Sequence, residues 1–374
     1  MTFGIRFIIL ILGIVLASVQ CQTSIRKVEL PKDDGIKPTD AKKIRPKDES
    51  LVPRGFDFAN APEIVAFGSN INQNKPQPIW DVIFKSNPDL FILAGNTINA
   101  VQPENKPISA QYKKLDLIPE FRHFRERVPM MATWDENDYV LKSGGAANAD
   151  KDDARREFLY QWSYVKDSLK INQLGIYHAK ILGGVRKKSS TFQVILLDTR
   201  SFRSALKKAD ETSATGSGKF VPNDDKKGTI LGDNQWDWLE RQLRKPADVR
   251  IIVSSIPLIS DEPTFENWAN FPREKERLFE LIRRTQTHNL FVVSGGRNWS
   301  VAKKEIKGWG TLYDFTSGGL TAPDSGDLAK ASGGDSMKSE NFGLVSVDWA
   351  RKKMEIQIRD AANGVLNKAE IKIK

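Results

Sequence analysis

From Pro62 onward the chain repeats one pattern: three to five apolar residues, then an abrupt run rich in Gly, Ser, Asn and Asp. IVAFGSN (64–70), LFILAGN (90–96), MMATWDEND (130–138) and FVVSGG (291–296) all follow it. Short apolar runs of this kind, rich in β-branched and aromatic residues, read as buried strands. Strands are expected at 63–68, 89–95, 129–133, 176–182, 192–198, 250–254, 290–294, 344–347 and 354–358. Amphipathic stretches between them predict helices at 78–85, 110–127, 153–169, 233–244 and 273–284, with Asp233 as an N-cap. Strands alternating with helices define an α/β chain, and one compact domain is the economical reading. In such folds the loops at the carboxyl ends of the strands carry the chemistry. Two polar stretches, 207–227 and 321–338, read as long surface loops.

The first residues do not belong to that pattern. Arg6 precedes an apolar run, FIILILGIVLASV (7–19). It is too short for a span of ~20 residues and suits a signal-peptide core, with cleavage after Cys21. Gln20 before Cys21 argues against a lipoprotein box, and a signal anchor is the weaker alternative. Residues 22–58 are rich in Lys, Asp and Pro and read as a charged leader without stable structure. The expected layout is a signal peptide at 1–21, the leader at 22–58 and one domain at 59–374, in a secreted, extracellular protein.

Cys21 is the sole cysteine, so the chain beyond it has no disulfide and relies on its apolar core. Lys and Arg exceed Asp and Glu by 57 to 47, a net charge of +10. That excess suits phosphate or another acidic extracellular ligand, and equally a solubilising surface of mixed charge. The basic residues form no stripe interleaved with aromatics, so nucleic acid is not an expected partner. No membrane span is expected, and oligomeric state is not legible.

Beyond the four loops, the order and flanks of several stretches are informative: PQPIWD (76–81), IPEFRHFRERVPMMATWD (118–135), VILLDTRSFRS (194–204), LGDNQWDWLERQLRKPADVRIIVSSI (231–256) and WANFPREKERLF (268–279). Together with the loops they resemble the PhoD-like metallophosphatases, secreted alkaline phosphatases and phosphodiesterases of the calcineurin-like superfamily. The resemblance runs from about Pro62 to beyond Asp348. It implies a metallophosphoesterase-like four-layer α/β/β/α sandwich with a multi-metal centre, iron with calcium or zinc, at the strand ends. Hydrolysis there takes a metal-activated hydroxide, with the ions neutralising charge on the phosphoryl oxygens.

This chain departs from the family at each loop. Gly68-Ser69-Asn70 stands where the family has Gly-Ser-Cys, and Gly95-Asn96-Thr97 where it has Gly-Asp-Asn. Trp134-Asp135-Glu136-Asn137-Asp138-Tyr139-Val140 stands for Trp-Asp-Asp-His-Asp-Tyr-Gly. Ser294-Gly295-Gly296-Arg297-Asn298-Trp299 stands for Ser-Gly-Asp-Arg-His-Trp. Asn70, Asn96, Thr97, Asn137, Gly296 and Asn298 are therefore degenerate site positions, and no catalytic residue is expected. His123, His178 and His288 all lie outside the loops.

Asp135, Asp138 and Tyr112 remain as candidates for a residual ion. No cofactor is expected; if an ion persists, calcium suits an all-oxygen set best. Arg200, Arg297 and Asp198 are the candidates for holding phosphate. Asn298-Trp299-Ser300 is a candidate glycosylation sequon. The expected function is an inactive extracellular binding or structural homologue. The alternative is an active metal-dependent phosphomonoesterase or phosphodiesterase with an atypical centre.

Overall fold

The computed structural model describes residues 51–56, 59–100, 107–186, 189–209, 220–260, 265–296, 299–322 and 339–374. The expected signal peptide, most of the leader, Arg297, Asn298, residues 210–219 of the first long loop and 323–338 of the second lie outside the described residues. In chain order the elements are β1 (Ile64–Gly68), α1 (Ile79–Lys85), β2 (Leu90–Ala94), α2 (Ile108–Asp116), α3 (Pro119–Arg125), β3 (Met130–Thr133), α4 (Lys151–Gln161), α5 (Ser163–Ser168), β4 (His178–Gly183) and β5 (Thr191–Leu196). They continue as β6 (Lys207–Lys208), β7 (Phe220–Val221), α6 (Gly232–Leu243), β8 (Val249–Ser254), a 3-10 turn at Trp268–Asn270, α7 (Pro272–Thr285), β9 (Leu290–Ser294), β10 (Ser300–Ile306), β11 (Gly310–Thr316), β12 (Asn341–Asp348), β13 (Lys353–Asp360) and β14 (Val365–Lys372).

Two six-stranded sheets form, in the orders β14-β13-β12-β1-β2-β3 and β10-β11-β9-β8-β5-β4, and β6 pairs with β7 as a small ribbon. Side-chain alternation explains how they stack. In β1, Val65 and Phe67 face the second sheet, where they join Val194, Leu196, Ile251, Val253 and Val293 in one core. Ala66 faces the other way and packs with Trp80, Phe121 and Phe124 of α1 and α3. In the second sheet Ile195, Ile252 and Val292 turn outward onto Trp236, Leu239, Leu278 and Ile282 of α6 and α7. Three apolar layers thus separate four structural ones, the α/β/β/α sandwich. Central strands covered on both faces are largely apolar, and β2, β8 and β9 are buried along their whole lengths, with Arg250, Ser254 and Ser294 as polar exceptions near the ends of β8 and β9.

Three expectations are corrected. The helix at 110–127 is two helices, because Pro119 has no N–H to continue the first and starts the second. The helix at 153–169 breaks at Trp162, whose backbone leaves the helical region. Asp233 lies in the first turn of α6 and is not its cap. The Glu274 side chain of α7 instead accepts from the backbone N–H groups of Ile230 and Leu231, just ahead of that helix. The strands β10, β11 and β14 went unread in the sequence. Both β10 and β14 are sheet edges with few buried positions, so they lack an apolar signature. No helix among the described residues is long and apolar enough to cross a membrane.

Candidate functional site

The strands β1, β2 and β3 run parallel, and so do β5, β8 and β9. Their carboxyl ends bring the loops at 69–70, 95–97, 134–139, 197–201 and 255–257 together with Gly295-Gly296. Close approach needs small residues here. A Cβ on Gly95 would lie 2.8 Å from Cβ of both Asp135 and Ser255, and the φ of Gly95 is +104°. Asn70 and Asn96 sit in the left-handed region, at φ 64° and 49°, where asparagine is the best tolerated side chain after glycine.

At the centre is a network of amides. The Asn70 Nδ2 donates to the carbonyls of Gly296 and Gly318, at 2.5 and 2.7 Å. Its Oδ1 accepts from Asn96 Nδ2 at 2.9 Å, and the same nitrogen makes a long contact of 3.4 Å to Asp135 Oδ2. The Asn96 Oδ1 accepts from the backbone N–H of Asn137 at 2.9 Å. Backbone groups settle which way each amide faces: a carbonyl can only accept and an N–H can only donate. The NH2 of Asn96 therefore points at Asn70 and Asp135.

Asp135 is 5% exposed, and its charge faces a cation of the protein's own. Its Oδ1 accepts from Arg200 Nε at 2.6 Å and from Ser255 Oγ at 3.0 Å, and lies 2.5 Å from Arg200 Nη2. The same Nη2 pairs with Glu266, while Nη1 donates to the Gly144 carbonyl. Arg203 adds Nη2 bonds to the carbonyls of Ser143 and Gly144. Burial pushes Asp135 up to about 7, against the pull of Arg200. Burial also opposes ionisation of Glu266, but Arg200 and Arg203 outweigh it and hold that carboxyl below its ordinary value. Arg203 is drawn down to about 10 by burial and by Arg200 beside it.

Two more buried carboxylates are filled by the fold itself. Asp138 accepts from the backbone N–H groups of Thr97 and Asp135, from the Thr97 hydroxyl and from Tyr112 Oη. Burial raises Asp138 to about 6, with those donors working the other way. Tyr112 is also raised, by burial and then by Asp138. Asp198 accepts five hydrogen bonds, from Trp134 Nε1, the N–H groups of Ile176, Arg200 and Ser201, and Ser201 Oγ.

The structure thus brings Asn70, Asn96, Asn137, Asp135 and Gly296 into one cluster, with Thr97, Asp138 and Tyr112 directly behind it. Arg297 and Asn298 lie outside the described residues, although Trp299 next to them is buried. Among the described residues, no three His, Cys, Asp or Glu side chains are grouped so as to hold a metal ion. Sequence reading missed Glu266, Arg203 and Ser255, which reach the site from separate loops. The stretches holding Arg203 and Ser255 were legible, with no motif marking the individual residues, and Glu266 lies outside every such stretch.

Fold and site together define a phosphoesterase-type sandwich with an altered strand-end cluster. A family model described as PhoD-like phosphatase matches residues 79–341, and the chain belongs to that family. Among solved structures, one described as the structure of PhoD aligns with a TM-score of 0.60 at 17% identity, covering 84% of this chain and 69% of that one. The protein TT1561 of Thermus thermophilus aligns with a TM-score of 0.36 at 11% identity, over 84% of this chain and 100% of that one. No curated protein matches.

Proposed function

We propose that this chain is a secreted PhoD-like homologue without phosphoesterase activity, which acts outside the cell as a binding protein. The observation that carries the reading is the orientation of Asn96. Where the resemblance puts a metal-bridging carboxylate, an NH2 group faces Asp135 and Asn70. A cation placed there would meet N–H dipoles and, through Asp135, a guanidinium that already pairs with that carboxylate. The Asn70 oxygen, the Asn96 oxygen and Asp135 Oδ1 all accept hydrogen bonds from the chain, and so do both oxygens of Asp138. These side chains do not offer two cations a shared set of anionic ligands.

A phosphate or another anion is the ligand class to test first, in keeping with a net charge of +10. Arg200 is 1% exposed and its donors are spent on Asp135, Glu266 and Gly144, so of the two arginines expected from the sequence to hold phosphate Arg297 is the one left for that role. Elemental analysis of the purified chain, with assays on a phosphomonoester and a phosphodiester, tests the main reading. Neither a stoichiometric metal nor turnover is expected. Stoichiometric iron, zinc or calcium with turnover would overturn it in favour of an atypical active centre. Inorganic phosphate at 100 times its Kd would stabilise the fold by about 2.7 kcal/mol, and no rise in Tm at millimolar phosphate removes the anion from the proposal.

A further inference from the structure

Just ahead of the domain lies Leu51-Val52-Pro53-Arg54-Gly55-Phe56, and its features bear on the leader as a separate unit of the protein. Residues 51–56 have no regular secondary structure, Val52 to Gly55 are exposed, and Val52 is 71% exposed. The segment's backbone is tied to the domain by a hydrogen bond from Arg54 N–H to the Arg125 carbonyl at 2.9 Å. Pro53 fixes its own φ and biases Val52 towards extended backbone, so the chain before Arg54 is already near the shape a protease cleft binds. Among the described residues Arg54 finds no ion-pair partner, and Gly55 after it presents no side chain.

The anchor comes immediately afterwards. The Phe56 ring lies 4.9 Å from that of Tyr164, and Lys180 Nζ lies 5.6 Å over its face. Tyr164 is itself held by the backbone N–H of Ala132 and faces His178. The boundary between exposed strap and docked chain therefore falls at Gly55. Two other described bonds place a basic residue before glycine, Lys227-Gly228 and Lys307-Gly308, and both lie in tight turns. Asp225 accepts from the N–H groups of both Lys227 and Gly228, and Gly308 sits at φ +79° in the β10–β11 turn. A turned chain does not enter an extended cleft.

We propose that Arg54–Gly55 is a processing site for an extracellular trypsin-like serine protease that reads Pro-Arg followed by a small residue, and that the functional domain begins at Gly55. Water adds across the Arg54–Gly55 amide. The carbon–nitrogen bond breaks, the water oxygen ends in the Arg54 carboxylate, and both water protons end on the Gly55 nitrogen, which becomes the new terminal ammonium. Cleavage removes everything before Gly55, whether or not the signal peptide has gone first. Phe56 stays docked and keeps the new terminus on the domain. To enter the cleft, the chain must release the Arg54 N–H bond and lift Phe56 from Tyr164, so the docked ring sets the rate.

The test is digestion of the purified full chain with thrombin, followed by N-terminal sequencing and intact mass over time. One early product is expected, beginning at Gly55 and ending at Lys374. Arg54→Gln should abolish it. Phe56→Ala should give the same product roughly two- to tenfold faster, the effect of losing one aromatic pair when cleavage follows the open population. No cleavage at this bond, an earlier cut elsewhere, or an unchanged rate in Arg54→Gln would each overturn the site. An unchanged rate in Phe56→Ala with the same product would overturn the role of the docked ring. Intact mass separates both from general unfolding, which would yield cuts within 59–374.

Discussion

Asp135 and Asp198 stand at the ends of neighbouring sheets, both almost wholly buried, yet they are held by different means. Asp198 follows β5 and is surrounded by five donors from neutral groups of its own and adjoining loops. It ties the loop at 198–201 to Trp134 and to the start of the segment that leads into β4. Asp135 follows β3 and has a guanidinium in place of such a cage, shared with Glu266. The difference separates two uses of a carboxylate. One satisfied by N–H and O–H groups is a fixed part of the frame. One that keeps an uncompensated charge waits for a cation, and here Arg200 supplies it from within the chain.

Removing that internal cation is the strongest way to break the comparison. Arg200→Met would leave Asp135 and Glu266 buried around an apolar side chain, and a loss of about 3–5 kcal/mol is expected in chemical denaturation. Partial protonation of Asp135 should soften the loss at acidic pH. Asp198→Ala should cost somewhat less, about 3 kcal/mol, since the buried donors it strands are neutral groups. An Asp198→Ala loss exceeding that of Arg200→Met would show that the neutral cage, and not the ion pair, dominates this end of the fold.

Asn96→Asp sharpens the comparison by recreating a pair of facing carboxylates. It removes the donors to Asn70 and Asp135 and places a second charge beside the first, at an expected cost of about 2 kcal/mol at neutral pH. Added calcium or manganese should recover part of the Tm in the combined Asn70→Cys, Asn96→Asp, Gly296→Asp, Asn298→His protein and leave the wild type unmoved. Equal metal responses in the two would sink the view that the wild-type cluster is filled by its own side chains.

Much of this was legible beforehand, and the reasons for the remainder are physical. The sheets declared themselves because strands buried on both faces are largely apolar, and their ends because Gly, Asn and Asp break them. The convergence of Asn70, Asn96, Asn137, Asp135 and Gly296 was expected from loop order, and the structure brings them together. What sequence cannot carry is the number of donors around a given oxygen. Asp138, Tyr112 and Asp198 are the right residue types for an ion or an anion, but their lone pairs and hydroxyl are engaged by Thr97, Trp134, Ile176 and Ser201, and no spacing rule reveals that. Glu266 and Arg203 escaped notice for the same reason, being joined to the cluster only through space.

The pH dependence of stability offers a further test, of smaller size. Asp135 is raised to about 7 and Asp138 to about 6, so each binds a proton in the folded state that the unfolded chain has released. Stability from these groups is fully present below pH 4 and is lost as pH rises through 6 and 7. His178 acts in the opposite sense: burial lowers it to about 4, so the folded state excludes a proton that the unfolded chain takes up below about 6.5, and stability rises with pH across that range. The terms partly cancel in the wild type. Asp135→Asn removes one of them, so its stability relative to wild type should improve by up to about 1 kcal/mol per pH unit between pH 5 and 7. Parallel curves for the two proteins would mean that Arg200 keeps Asp135 ionised throughout.

The smallest expected effect lies in a single backbone angle. Val140 has φ +57°, a left-handed conformation that costs a β-branched residue about 1–2 kcal/mol, at the position where the resemblance has glycine. Glycine would relieve the strain but add freedom to the unfolded chain and forfeit the side chain's contacts with the core, so Val140→Gly should be close to neutral. Asparagine tolerates the angle and restricts the unfolded chain more than glycine does, so Val140→Asn should raise stability by about 0.5 kcal/mol. Losses above about 1 kcal/mol in both variants would mean that packing of the valine outweighs its strain, and that the loop carrying Asp135 and Asp138 has been re-optimised around the larger side chain.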